Sequence, residues 1–119
     1  MVLRLLRQAA NIQFALAGIL TIFKEEVNCW NFLVGGFAFI AVAFWLAFPA
    51  WSIAILLFAW VLTLSLEFLN SSIERLANVV QPNRSEHIRK IKDIAAAAVF
   101  LPGLFFVFLW AYLFFTRTH

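Results

Sequence analysis

Long apolar runs dominate this chain, without the polar interruptions that a soluble helix or strand shows. Phe32 to Phe48, Ala50 to Leu66 and Ile94 to Phe115 carry no charged residue. Each run is close to the length that crosses the hydrocarbon core of a bilayer as a helix. Pro49 separates the first two and can end one helix while starting the next, because its fixed φ suits a first turn and its missing N–H is not needed there. The pattern predicts three transmembrane helices, 32–48, 50–66 and 94–115, within a single membrane-embedded domain covering 1–119. Residues 67–93 form a helix extension and loop between the second and third.

The segment ahead of the first span has a different pattern. Between Leu3 and Phe23, Arg4, Arg7, Gln8, Asn11 and Gln13 are mixed with leucine, isoleucine and phenylalanine, as in a helix lying in the headgroup plane. An interfacial amphipathic helix is therefore expected over 3–26. The alternative is a fourth span from Ala9 to Phe23, against which stand its short length and two side-chain amides. A cleaved signal peptide is not expected, since the apolar stretch ends in Lys24-Glu25-Glu26 rather than in small residues.

Composition and charge agree with a lipid solvent. Of 119 residues, 65% are hydrophobic and only 13% charged, about half the charged share of a soluble domain. Arg4, Arg7 and Lys24 precede the first span, and Arg75, Arg84, Arg89, Lys90 and Lys92 lie between the second and third. The turn around Pro49 has no charge, and the tail offers only Arg117. By the positive-inside rule the N-terminus and the loop after the second span are cytoplasmic, and the C-terminus is outside. The expected fold class is thus an all-α integral membrane protein, with no nucleic-acid partner.

The polar residues left over are placed unevenly. All six acidic side chains, Glu25, Glu26, Glu67, Glu74, Glu86 and Asp93, fall at or beyond the cytoplasmic ends of the apolar runs. That argues against a proton-coupled transporter, which needs an ionisable group near the bilayer centre, and for chemistry at the membrane–water boundary. Glu67, Asn70, Glu74 and Asn78 stand at i, i+3, i+7 and i+11, on one helical stripe. Paired carboxylates with lysine nearby suit phosphoryl transfer: oxygen ligands for magnesium, a cation for phosphates, a base for a hydroxyl proton. No glycine-rich nucleotide loop exists among Gly18, Gly35, Gly36 and Gly103, so a nucleotide site would have to be built from helix side chains. Cys29 is alone and reads as a packing residue. Trp30, Trp45, Trp51, Trp60 and Trp110 read as the aromatic residues usual at membrane interfaces and in lipid-facing packing.

Glu67-Phe-Leu-Asn70-Ser-Ser-Ile-Glu74, followed by Lys92-Asp93 opening the alanine-rich final span, resembles the small bacterial integral-membrane diacylglycerol kinases and the similar undecaprenol kinases. The resemblance covers essentially the whole chain. It implies an interfacial helix, three transmembrane helices, a homotrimer in the bacterial inner membrane with its active site on the cytoplasmic side, and magnesium-ATP-dependent phosphorylation of a lipid hydroxyl. Diacylglycerol is the first expectation for that lipid, with undecaprenol the alternative.

Carried over by position, the resemblance implies Glu67 as general base and Asn70 as the residue orienting the reacting groups. Glu26 and Glu74 become magnesium ligands, and Lys92 and Asp93, helped by Arg7, hold the nucleotide. The family often has aspartate where this chain has Asn78. A competing class is a noncatalytic membrane subunit, in which Glu67 and Glu74 mark only the wet end of a helix and the charges only fix topology. Glu25 and Glu86 are expected to be solvated charges, and Arg84, Arg89 and Lys90 to attract anionic headgroups. Ala95 to Ala98 are expected to let a neighbouring helix approach closely.

Overall fold

A computed structural model describes residues 1–117, which fold into four helices: α1 (Val2–Glu25), α2 (Val27–Trp45), α3 (Ala50–Val80) and α4 (Glu86–Thr116). The three predicted spans lie within α2 to α4, except that Leu46 to Phe48 form the turn after α2. Each helix outside that turn extends beyond the charge-free run that predicted it. α3 continues through the whole polar stripe to Val80, and α4 begins at Glu86, so the connection between them shrinks to 81–85. Gln81 leaves the helix in an extended conformation just before Pro82, whose ring disfavours helix at the preceding residue. Glu86 opens α4 in a position where its charge complements the helix dipole.

α1 is one continuous helix. All four helices, α1 included, are long and apolar enough to cross a membrane. None of its residues before Ile22 is buried, so it touches the rest of the molecule only through its last turns. Extents of 55 × 48 × 23 Å fit a helix leaving the bundle sideways. A single extended residue, Glu26, makes the corner between α1 and α2, and its N–H still donates to the Ile22 carbonyl at 2.8 Å.

The turn between α2 and α3 is made without glycine. Ala47 takes φ 57°, with its N–H donating to Phe44 O and the Phe48 N–H to Ala43 O, both at 3.0 Å. This closes the end of α2 with the paired bonds of a Schellman motif. Pro49 then caps α3, and its carbonyl accepts from the Ser52 and Ile53 N–H groups and the Ser52 hydroxyl. Around this turn sits the main apolar core, formed by Ile40, Ala43, Phe48, Ile53, Leu56, Ala59, Phe106 and Leu113. α3 packs chiefly on α4.

Three tryptophans do more than the sequence reading assigned them: Trp30 donates to the Phe23 carbonyl across the α1–α2 corner, and two others tie α3 and α4 to α2. The Trp60 indole on α3 donates to the Phe32 carbonyl at 3.0 Å, and the Trp110 indole on α4 donates to the Phe39 carbonyl at 2.9 Å. Phe32 and Phe39 are seven residues apart on α2, so both bonds reach the same face of that helix. Trp60 also lies across Gly36, where a Cβ would overlap the indole ring. Of Ala95 to Ala98 only Ala95 is buried, and the other three remain exposed on the chain.

Gly36→Ala should therefore displace Trp60 and cost about 1–3 kcal/mol, as overpacking does. Thermal unfolding of the purified protein in detergent micelles measures it. Gly35→Ala, with nothing within 4 Å of the added methyl, should leave the midpoint unchanged.

Candidate active site at the membrane boundary

The polar stripe of α3 begins where its charge-free run ends. Glu67 is half-buried, Asn70 and Ser71 are buried, and Glu74 and Asn78 are exposed, so the stripe passes from packed interior to open surface along one helix. The Phe23 ring meets the rings of Phe68 and Trp30 edge-on, with centroids 5.8 and 5.2 Å apart. This aromatic contact seats the end of α1 beside Glu67. The adjoining corner then holds Glu26 against the next turn of α3.

There Glu26 Oε1 accepts a hydrogen bond from Ser71 Oγ at 3.0 Å and lies 3.1 Å from Arg75 Nη2. Arg75 Nη1 reaches Glu25 Oε2 at 2.7 Å. The guanidinium of Arg75, with help from the Ser71 hydroxyl, holds the Glu26 carboxyl below the ordinary glutamate range. The same carboxylates raise the Arg75 pKa. Glu26 and Glu74 both lie near enough to Glu67 for their like charges to act on it. The Ser71 bond brings Glu26 to the turn of α3 between Glu67 and Glu74, although Glu26 precedes Ser71 by 45 positions.

Asn70 sits among them with an unusual feature. Its Oδ1 is buried with no hydrogen-bond partner, in a residue only 9% exposed. Orphaned buried acceptors are rare, since each forfeits its hydration without replacement. A hydrogen-bond donor is what such an atom lacks.

Lys92 Nζ donates to Asn78 Oδ1 at 2.7 Å, joining the start of α4 to the end of α3. An amide in place of a carboxylate holds the ammonium without neutralising it. Asp93 turns instead to Arg89, 2.9 Å away on its own helix, and Arg89 also pairs with Glu86. Glu25, Glu86 and Arg89 are therefore ion-paired rather than only solvated. Arg7 is not brought to this cluster within one chain: it lies about 28 Å along α1 from Glu26, at 1.5 Å rise per residue. Among the described residues Glu74 has neither ion pair nor hydrogen bond.

Arg75 and Ser71 are the residues that sequence reasoning left out. Both follow from helical spacing, since Ser71, Arg75 and Asn78 share a face. What the pattern could not supply was the carboxylate pair of a distant segment standing opposite that face.

The helices are long and apolar enough to cross a membrane, and their carboxylates, amides and lysine gather at the ends of the apolar runs, where lipid headgroups meet water. The family pattern described as prokaryotic diacylglycerol kinase matches residues 13–114, and the chain belongs to that family. It is accordingly a multi-pass lipid kinase of the diacylglycerol kinase type, which sets aside the noncatalytic alternative. No curated protein matches the chain.

Asn70→Leu should separate stability from activity. Removing an unpartnered buried amide should leave the unfolding midpoint unchanged or raised, while lipid phosphorylation falls. Parallel melting and kinase assays measure both.

Proposed function

We propose that this chain transfers the γ-phosphoryl group of ATP to the primary hydroxyl of a membrane lipid, diacylglycerol first, yielding phosphatidic acid and ADP. The observation that carries this reading is the hydrogen bond of Glu26 to Ser71, which sets the α1–α2 corner against the turn of α3 between Glu67 and Glu74, in a chain of the lipid-kinase family. A substrate hydroxyl resides at the headgroup plane and ATP in water, so only a boundary site meets both. The site faces the cytoplasm of a bacterial inner membrane, where ATP is available and where the positive-inside bias directs the basic loop.

Glu67 acts as general base. As the hydroxyl oxygen forms its bond to the γ-phosphorus and the bond to the β-phosphate oxygen breaks, the hydroxyl proton passes to the Glu67 carboxylate. Asn70, one turn further along α3, orients the hydroxyl or a phosphoryl oxygen with its unpartnered amide oxygen and its NH₂ group. Lys92, held by the neutral amide of Asn78, steadies the phosphates.

Magnesium fits the donor chemistry. No group of three or more candidate ligands close enough to cage a metal occurs among the described residues, but magnesium is usually held by one or two carboxylates together with phosphates and water. Glu26 and Glu74 would hold it, and when bound it would neutralise charge on the phosphate oxygens. Asp93 and Arg7 contribute on the nucleotide side. Since Arg7 stands apart within one chain, its contribution requires the site to be completed in an assembly, for which a homotrimer is the reading.

Phosphorylation of diacylglycerol and undecaprenol, assayed side by side in mixed micelles with and without magnesium, tests the whole reading. Labelling of neither alcohol overturns it. Preference for undecaprenol would correct the substrate and keep the mechanism.

Two sets of variants divide the roles. Glu67→Gln keeps the size of the side chain but cannot take the proton, so turnover should fall about 10²- to 10⁴-fold with little change in ATP affinity. Lys92→Met should weaken ATP binding as well as turnover. Steady-state kinetics with ATP varied at saturating lipid reads both, and near-normal turnover of Glu67→Gln would exclude it as the base. Glu26→Gln and Glu74→Gln should each raise the magnesium concentration needed for half-maximal rate, and an unchanged requirement in both would remove them as ligands.

A further inference from the structure

The guanidinium of Arg75 is spread between two carboxylates from the α1–α2 corner, with Nη1 on Glu25 and Nη2 on Glu26. Glu26 Oε1, the atom it meets, is also the acceptor of the Ser71 hydroxyl. A residue read as a metal ligand is thus already engaged by a cation belonging to the chain itself. Arg75 directly follows Glu74 and precedes Asn78 by three positions, so it stands within the same turns of α3 as the other candidate residues.

We propose that Arg75 is a built-in competitor for the divalent-cation site, occupying Glu26 until metal displaces it. This inference rests on the assignment of Glu26 as a metal ligand. The geometry suits a displaceable occupant. Both ion pairs are open to water, with the Arg75 side chain 46% exposed, and exposed pairs are weak enough for a divalent ion to replace. Glu25 gives the displaced guanidinium somewhere to remain. With Nη1 kept on Glu25, Arg75 can leave Glu26 by a small rotation rather than by moving wholly into solvent. The fork is what makes this possible, because a guanidinium can bridge two carboxylates whereas a lysine ammonium meets them as a point charge.

The test is Mn²⁺ binding alone, without nucleotide or lipid, followed by electron paramagnetic resonance of free Mn²⁺ on the full-length protein in detergent micelles. Arg75→Met should tighten binding about two- to five-fold, the ratio expected from losing one exposed ion pair. Arg75→Lys keeps the charge but loses the fork, and should also tighten binding. Wild-type affinity in Arg75→Lys with tighter binding in Arg75→Met would mean that Arg75 acts only through its charge at a distance, which overturns the proposal. Unchanged or weaker binding in both overturns it too, and Arg75→Lys decides the matter where Arg75→Met fails to fold. Glu26→Gln supplies the separate check on the underlying assignment and should weaken Mn²⁺ binding. If it does not, Glu26 is no ligand and the competitor role falls with it. If Glu26→Gln weakens binding while neither Arg75 variant tightens it, only the competitor role is lost.

Discussion

Hydrocarbon offers a polypeptide no hydrogen-bond partner, so every N–H and C=O within it must be satisfied by the chain itself. That constraint accounts for the four helices and for the care taken where helices end. Ala47 accepts a left-handed conformation because the alternative is to leave the last carbonyls of α2 without donors at the turn. Pro49 follows at once and turns its own carbonyl to the first N–H groups of α3. The same constraint makes an indole valuable. Trp60 and Trp110 each bring a donor that needs a partner, and both find it in the carbonyls of one α2 face, so the requirement to satisfy polar atoms also fastens the helices to one another.

Charge obeys the complementary rule, remaining where water can reach it. The result is a sharp division along α3, from the apolar core around Leu56 and Ala59 to the polar stripe that starts at Glu67. A lipid kinase needs such a division in one rigid element, because its two substrates come from different solvents. Continuity of α3 through the boundary fixes Glu67, Asn70 and Glu74 at intervals of one turn. The aromatic contacts of Phe23 then bring the corner of α1 to that boundary without burying a charge.

The cluster carries its own counter-charges. Arg75 offsets Glu25 and Glu26, Arg89 offsets Glu86 and Asp93, and Lys92 bonds a neutral amide, Asn78. Crowding carboxylates beside a low-dielectric core is unfavourable unless cations share the space. A basic residue next to an acidic site therefore has a structural reason to be there before it has a chemical one. Asn70 stands apart from this balance, with a buried acceptor that the chain leaves open.

The amino-acid sequence alone determined that the chain is helical and membrane-embedded, since uncharged runs of bilayer length admit few other structures. It also placed Glu67, Asn70 and Glu74 on one stripe, because they share one helix and their relation follows from 3.6 residues per turn. Helix ends were less legible: α3 and α4 continue well past their apolar runs, as hydropathy marks where lipid stops and not where helical hydrogen bonding does. The mixed pattern of α1 favours an interfacial helix, yet its length and apolar content also suffice for a span, because a mixed apolar and polar segment suits both settings. Only the tertiary structure decided that Glu26 and Ser71 meet, that Arg75 joins Glu25 to Glu26, that Lys92 bonds Asn78, and that Arg7 stands apart within one chain. These pairs are separated by fourteen to fifty positions, and no periodicity relates residues on different helices. Their meeting depends on the corner at Glu26 and on how α3 packs against α2 and α4, which are properties of side-chain shape in three dimensions.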